Sequence, residues 1–257
     1  MSSKIIVIPI YKSSPDKNEK MSFIQCIKIL NKHRICIVSY KDLDLSCYTD
    51  LLISAPADFT VKYFDRSFFE NLAGYNKLML SFEFYHTFKE YDYMLLYQLD
   101  AWVFRDELDY WCQKGYDYIG APWIDMNILL WLKQDIYPKK LYYYHKLFGN
   151  GRFISKVGNG GFSLRKVKSI IASLKRYQAA SLKWKANEDS FFSHYVKSFS
   201  PRFQIASKNE AIMFGFDLYP QKAFILNNMK LPFGCHAWAS KDAPYENNFS
   251  FWKDKIS

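Results

Sequence analysis

Along the first half of the chain, apolar positions fall into short solid runs separated by polar, helix-patterned stretches. Lys4 to Ile10 is one such run, closed by a polar turn at Ser13–Asp16, and predicts a strand buried on both faces. Ser22 stands where it could cap a helix whose Phe23, Ile27 and Leu30 share one side. Arg34 to Tyr40, rich in β-branched residues, predicts a second strand. Tyr75 to Phe88 predicts a helix, with Leu78, Met79 and Phe82 at helical spacing. Asp92 to Leu99 reads as a third strand. Leu108, Trp111 and Cys112 mark a short helix that Gly115 ends, and Tyr116 to Ala121 reads as a fourth strand.

The second half is less regular. Residues 126–157 carry basic and aromatic side chains with no clean period. Gly161 to Leu164 predicts a strand, and Val167, Ile170, Ile171 and Leu174 then repeat at i, i+3, i+4, i+7. A further helix is expected from about Glu188 to Lys197, with Phe191, Phe192, Tyr195 and Val196 inward. Strands alternating with helices imply a doubly wound, Rossmann-like α/β domain with a mostly parallel sheet flanked by helices. Ligands of such sheets collect at the carboxyl ends of strands, here Pro9–Tyr11, Tyr40–Asp42 and Gln98–Trp102. No repeat or low-complexity linker interrupts the chain, so 1–125 and 126–257 read as two halves of one domain.

Composition narrows the function classes. With 49% hydrophobic and 23% charged residues, the 257-residue chain is globular and not disordered. Its aromatic share of 19% suits sugar-binding walls, but a bulky core explains most of it. No apolar run approaches the roughly 20 residues of a bilayer span, and the N-terminus reads as a strand rather than a signal peptide. Five scattered cysteines without a C-x-x-C pair argue against a disulfide framework or structural zinc, which fits a reducing cytoplasm. The net charge of +10 is concentrated: Asn127 to Lys185 holds thirteen Lys and Arg against a single acid, Asp135. Such a field attracts phosphates, anionic lipid or nucleic acid.

Four short stretches could carry chemistry. Gln98-Leu99-Asp100 ends an apolar strand in a carboxylate that could hold a divalent cation, although strand-end Asp residues often cap turns. Gly158-Asn159-Gly160-Gly161 could let backbone approach a ligand, or be a flexible hairpin. It is neither a Walker loop nor a dinucleotide fingerprint. Asn187-Glu188-Asp189 opens a helix with two acids. The helix dipole favours them there in any case, and adjacent residues face differently, so at most one can serve as a general base. His236, between Gly234 and Trp238, is either a packed structural histidine or a ligand.

Taken in chain order, these four stretches resemble the motifs of GT-A glycosyltransferases. The stretches Tyr91–Phe104, Tyr116–Trp123, Val157–Arg165 and Asn187–Phe192 are most similar to a bacterial subfamily found among surface-polysaccharide genes. The resemblance runs from the first strand to His236. It implies a nucleotide-sugar-dependent transferase acting on a glycan acceptor, lipid-linked ones included, by an inverting route. It assigns Asp189 as base with Glu188 beside it, and Asp100 and His236 to a Mn²⁺ or Mg²⁺ ion with Gln98 in the same motif; by position alone, Pro9 and Tyr11 join Gln98 and Asp100 on the donor side. Trp123, Gly158, Asn159, Gly160 and Gly161 fall on the acceptor side. Residues 1–125 then form the donor-binding half and 126–257 the acceptor-binding and catalytic half. The family's Asp-x-Asp begins here with Gln98, which weakens the expected metal site.

The mix of Lys133, Lys139, Lys140 and Lys146 with aromatic residues over Met126–Phe148 resembles an interfacial segment, so a cytoplasmic protein touching the inner membrane face is expected. A solvated basic loop is the equal alternative. Two rival functions remain: a catalytically silent carbohydrate-binding relative, which Gln98 favours, and a nucleic-acid-binding protein. No nucleic-acid motif is present, so no nucleic-acid partner is expected.

Overall fold

The computed structural model describes residues 2–124, 127, 132–134, 137–148, 155–240 and 248–256. Part of the expected interfacial segment, residues 126 and 128–131 among it, lies outside them.

A six-stranded sheet forms the centre, in the order β3-β2-β1-β4-β7-β6. Its strands are β1 (Lys4–Pro9), β2 (Ile35–Ser39), β3 (Phe59–Tyr63), β4 (Tyr93–Tyr97), β6 (Tyr118–Ile119) and β7 (Phe162–Lys166). Only β7 runs against its neighbours, pairing antiparallel with β4 and β6. The sheet is therefore mostly parallel, as the strand–helix alternation implies. A second, three-stranded sheet orders β5 (Trp102–Val103), β9 (Gly234–Cys235) and β8 (Gly215–Phe216).

The solid apolar runs have a direct cause. Along β1, Ile6, Ile8 and Ile10 enter one core while Ile5 and Val7 enter the other. Successive side chains point to opposite faces, and helices cover both, so every position must be apolar. In β4, Leu95 and Tyr97 join the first core, Met94 and Leu96 the second. A third cluster, with Trp102, Phe216, Trp238 and Trp252, packs around the small sheet.

Several expectations need correction. Helix Lys17–Leu30 starts at Asp16, whose side chain accepts from the Asn18 and Glu19 amides while Glu19 reaches back in a capping box. Ser22 lies inside this helix, buried against the Tyr97 hydroxyl. The expected helix at 75–88 is two, Leu72–Met79 and Phe82–Thr87, because Ser81 caps the second by accepting from the Phe84 amide at 3.2 Å. The sheet's outer strand β3, with Lys62 and Tyr63 exposed, escapes a reading that looks for solid apolar runs. The helix beyond Asn187 begins at Glu188 but widens into a π-helical stretch at Phe191–Val196. Finally, Arg165 is not part of the basic surface. It is fully buried.

Candidate active site

β4 ends at Tyr97, and the chain turns sharply before entering β5. The Ala101 amide donates to the Gln98 carbonyl at 2.9 Å, and the Gln98 amide to the Gly161 carbonyl at 2.8 Å. Asp100 therefore sits at the junction of the two sheets. β9 pairs with both β5 and β8, which delivers His236 from one strand end and Asp217 from another to the same point.

There the His236 ring is held on both edges. Its Nε2 lies 3.2 Å from Asp100 Oδ1 and 3.1 Å from Gln98 Oε1; its Nδ1 lies 3.2 Å from Asp217 Oδ1 and 3.1 Å from Asn159 Nδ2. The Asp217 side chain is 3% exposed and that of His236 14%, whereas Asp100 keeps 46%. Burial opposes the charged ring, yet the flanking Asp100 and Asp217 carboxylates hold its pKa well above the ordinary histidine value. Burial likewise pushes the Asp100 carboxyl up, but His236 reverses this and leaves it below its usual range. Asp217, unmarked in the sequence, is the residue that fixes this ring. No spacing rule points to it.

Asp100 and Gln98 open into a cavity of about 480 Å³ that Pro9 and Tyr11 also line. All four expected donor residues thus share one cavity. Phe68, Tyr75 and Trp238 line it as well, and sequence reasoning missed them. Trp238, two residues after His236, had a signal. Phe68 and Tyr75 had none. The cavity also draws Trp238–Ser240 from the second half of the chain. Asp16, Glu19, Glu70 and Asp100 line it, and among the described residues no Lys or Arg does. Glu19 is occupied by Lys12 at 2.6 Å and by the Tyr11 hydroxyl, which donates at 3.2 Å. Burial and Glu19 push the Tyr11 phenol up to about 12.

The glycine stretch is shaped by the site's own side chains. A Cβ on Gly161 would sit 2.1 Å from His236 Nε2 and 2.6 Å from Gln98 Oε1, and one on Gly160 would sit 2.1 Å from Glu188 Oε1. Asn159 between them takes a left-handed φ of 62°, its Oδ1 accepting from the Gly161 and Phe162 amides. These contacts describe a packed wall rather than a loose hairpin. Gly161→Ala should cost about 1–3 kcal/mol through overpacking, read as a lower melting temperature. An unchanged Tm would mean that His236 is not held there. Trp123 lies over Gly158 and 5.1 Å from the His194 ring, and only 7% of it is exposed.

The two adjacent acids have separate fates. Glu188 Oε1 accepts from Arg165 Nη2 at 2.7 Å, both side chains being out of solvent. The same guanidinium donates to the Tyr85 hydroxyl, Ser163 Oγ and the Gly160 carbonyl. Asp189 has no such cation. Its Oδ1 accepts the Ser190 amide at 2.5 Å, and burial, then the Glu188 charge, push its carboxyl up to about 7. Neither acid lines the cavity above Asp100.

Similarity to known proteins agrees with this geometry. The WbbM bifunctional glycosyltransferase superposes with a TM-score of 0.58 at 14% identity, over 99% of this chain and 51% of that one. This chain thus spans about half of WbbM. Core-mannan synthase A from Aspergillus fumigatus, in a Mn/GDP form, gives 0.53 at 9% identity over 82% and 73%. Mouse xyloside xylosyltransferase 1 gives 0.55 at 9% identity over 95% and 99%. At such identities the likeness is one of fold, and the fold is GT-A. No curated protein matches in sequence. Residues 58–236, well over half the chain and including every motif from Gln98 to His236, match the family described as "Protein of unknown function (DUF5672)", and the chain belongs to that family.

Proposed function

We propose that this protein is a glycosyltransferase that moves a sugar from a nucleotide donor to a glycan acceptor with inversion. The observation that carries the reading is the convergence of Asp100 and Gln98, which line one cavity, with His236 hydrogen-bonded to both, at the carboxyl edge of β4 in a GT-A fold. The acidic lining gives it chemical content. Among the described residues, a nucleotide diphosphate entering beside Asp100 meets carboxylates and no lysine or arginine, a lining that favours a diphosphate accompanied by a cation.

Among the described residues no group of three or more His, Cys, Asp or Glu is placed to hold a metal ion; what supports one is the meeting of a carboxylate oxygen of Asp100 and an amide oxygen of Gln98 at His236 Nε2, which would have to give up its proton to bind. Asp100 and His236 would hold Mn²⁺ or Mg²⁺, with the Gln98 carbonyl beside them. Core-mannan synthase A is itself described with manganese and GDP. Such an ion, when bound, neutralises the charge of the departing diphosphate. Asp217, on Nδ1, orients the imidazole so that Nε2 faces the ion. Pro9 and Tyr11 contact the base and ribose. Trp123 and the wall Gly158–Gly161 border the acceptor. Asp189, whose raised pKa suits a base near neutral pH, takes the proton of the attacking hydroxyl on Oδ2 while Oδ1 stays on the Ser190 amide. Glu188, occupied by Arg165, holds the helix start in place.

The finer reading is a lipid-linked acceptor in surface-polysaccharide assembly, with the basic stretch resting on the inner membrane face. Among the described residues no helix is long and apolar enough to cross a bilayer, so contact would be peripheral.

A thermal-shift screen of UDP-, GDP-, CMP- and dTDP-sugars tests the proposal. One nucleotide should stabilise the protein in Mn²⁺, by about 2.7 kcal/mol at a hundredfold excess over Kd, and not in EDTA. Equal affinity in EDTA and Mn²⁺ by calorimetry would remove the metal role. Donor binding without hydrolysis or transfer to any glycan would favour the silent carbohydrate-binding alternative, in keeping with Gln98.

A further inference from the structure

Away from the acid-lined cavity lies a pocket of opposite sign. Its volume is about 520 Å³, and Lys140, Arg176, Lys183 and Lys185 face it together with Tyr177 and Tyr195. Among the described residues no acidic side chain lines it. Four segments supply these groups, three of them within residues 176–195. Lys140 comes from helix Lys139–Phe148, Arg176 from the end of helix Val167–Arg176, Lys183 and Lys185 from the chain after helix Gln178–Ser181, and Tyr195 from the π-helical stretch.

Two of the cations are braced. Lys140 Nζ donates to the Tyr195 hydroxyl at 2.9 Å and lies 5.1 Å from that ring's centre. The Arg176 guanidinium stands 5.6 Å from the Tyr177 ring, and the Tyr177 hydroxyl donates to the Phe199 carbonyl at 2.8 Å. Holding four like charges around one cavity is unfavourable without a counter-ion. Lys140 and Arg176 are held by their ring contacts, whereas Lys183 and Lys185 are exposed and solvated. A ligand with two or more negative charges in a small volume relieves the repulsion, and phosphate oxygens also match the Lys, Arg and tyrosine donors. An open pocket of about 520 Å³ has room for a phosphate or diphosphate group.

We infer that this pocket binds a phosphate-bearing group, either the headgroup of an anionic lipid or a soluble phosphate ester or diphosphate. One wall of the pocket is the buried Tyr137 ring. Burial, with the nearby Asp189 carboxylate, pushes its phenol up to about 12. The anion site does not depend on the transferase reading.

The test uses the whole chain in EDTA, where the acid-lined cavity has no ion to attract phosphate. Binding of inorganic pyrophosphate is measured by calorimetry, and cosedimentation with phosphatidylcholine vesicles with and without phosphatidic acid. Lys183→Glu/Lys185→Glu, both at exposed positions, should weaken binding by roughly tenfold or more at an unchanged melting temperature. Lys28→Glu/Lys230→Glu changes the net charge equally on exposed sites elsewhere and should weaken it by no more than about twofold. Pyrophosphate binding lost only in the pocket variant identifies a soluble phosphate source. Vesicle binding lost only in that variant identifies a lipid headgroup. Equal weakening by both variants, or no binding of either probe, overturns the inference. Nucleotide binding in Mn²⁺, measured in parallel, reports on the donor cavity separately, so failure of one proposal is distinguishable from failure of the other.

Discussion

Glu188→Gln should unfold at markedly lower denaturant concentration than the parent protein, by about 3–5 kcal/mol. The size follows from what the substitution strands. Arg165 is fully buried, and Glu188 is its carboxylate partner at 2.7 Å. Burial disfavours the guanidinium charge, but Glu188 and the surrounding tyrosines hold its pKa well above the ordinary arginine value, so it cannot escape by losing a proton. Once Glu188 is neutral, a buried cation remains with only hydroxyl and carbonyl acceptors. At about 2–4 °C per kcal/mol for a chain of this class, the melting temperature should drop by roughly ten degrees. Arg165→Met added to Glu188→Gln should recover part of the loss, because the stranded charge is then gone. Urea melts of the two single variants and the double variant measure this directly. Additive losses would show that the pair is not coupled. At pH 8, transfer activity of Glu188→Gln should fall only as far as the folded fraction does, in contrast to its neighbour, while its pH–rate profile moves to lower pH because the Glu188 charge that helps raise the Asp189 carboxyl is gone.

Asp189→Asn should do the reverse: stabilise the fold and abolish turnover. In the folded state burial and Glu188 push the Asp189 carboxyl from 3.8 up to about 7. Between those values the folded protein binds a proton that the unfolded chain does not. Its stability therefore declines as pH rises through that window, and the full cost is present above pH 7. Asparagine carries no such charge. The variant should melt above the parent at pH 8, and the gap should close as pH falls toward 4. Transfer should fall by about 10²–10⁴-fold with donor affinity unchanged, and the parent's rate should rise with pH through about 7 as the carboxylate forms. A variant that is fully active with the parent's pH profile would place the base elsewhere. A variant no more stable at pH 8 would contradict the burial argument. The combination of higher Tm and lost transfer is the usual mark of a site that sacrifices stability for function.

The fold was largely legible because its sheet is covered on both faces. β1, β2 and β4 stand out as solid apolar runs, and each was found near its observed position. β3 was not, since an edge strand need be apolar on neither face throughout. The helix break at Ser81 was hidden because Leu78, Met79 and Phe82 keep helical spacing across it. At the site, Asp100, Gln98 and His236 were visible as motifs, and Pro9 and Tyr11 through the strand-end rule. Asp217 was not, because a buried second carboxylate beside a histidine has no local pattern; only pairing of β8 with β9 brings it there. The division of labour between Glu188 and Asp189 was half legible. Helix geometry required that they differ, but only the location of Arg165, counted by sequence as surface charge, decides which one is neutralised.

The β5-β9-β8 sheet has a consequence for how the protein matures. Gln98 and His236 meet across a separation of 138 positions in the chain. Closing so long a loop carries a large entropic cost, and contacts of such separation slow folding. Both cores flanking the parallel strands also draw on residues beyond Leu99, Phe162 and Leu164 in one and Val167 and Phe191 in the other. A truncated chain ending before Gly234 would lack the site's histidine however much of the rest it assembled.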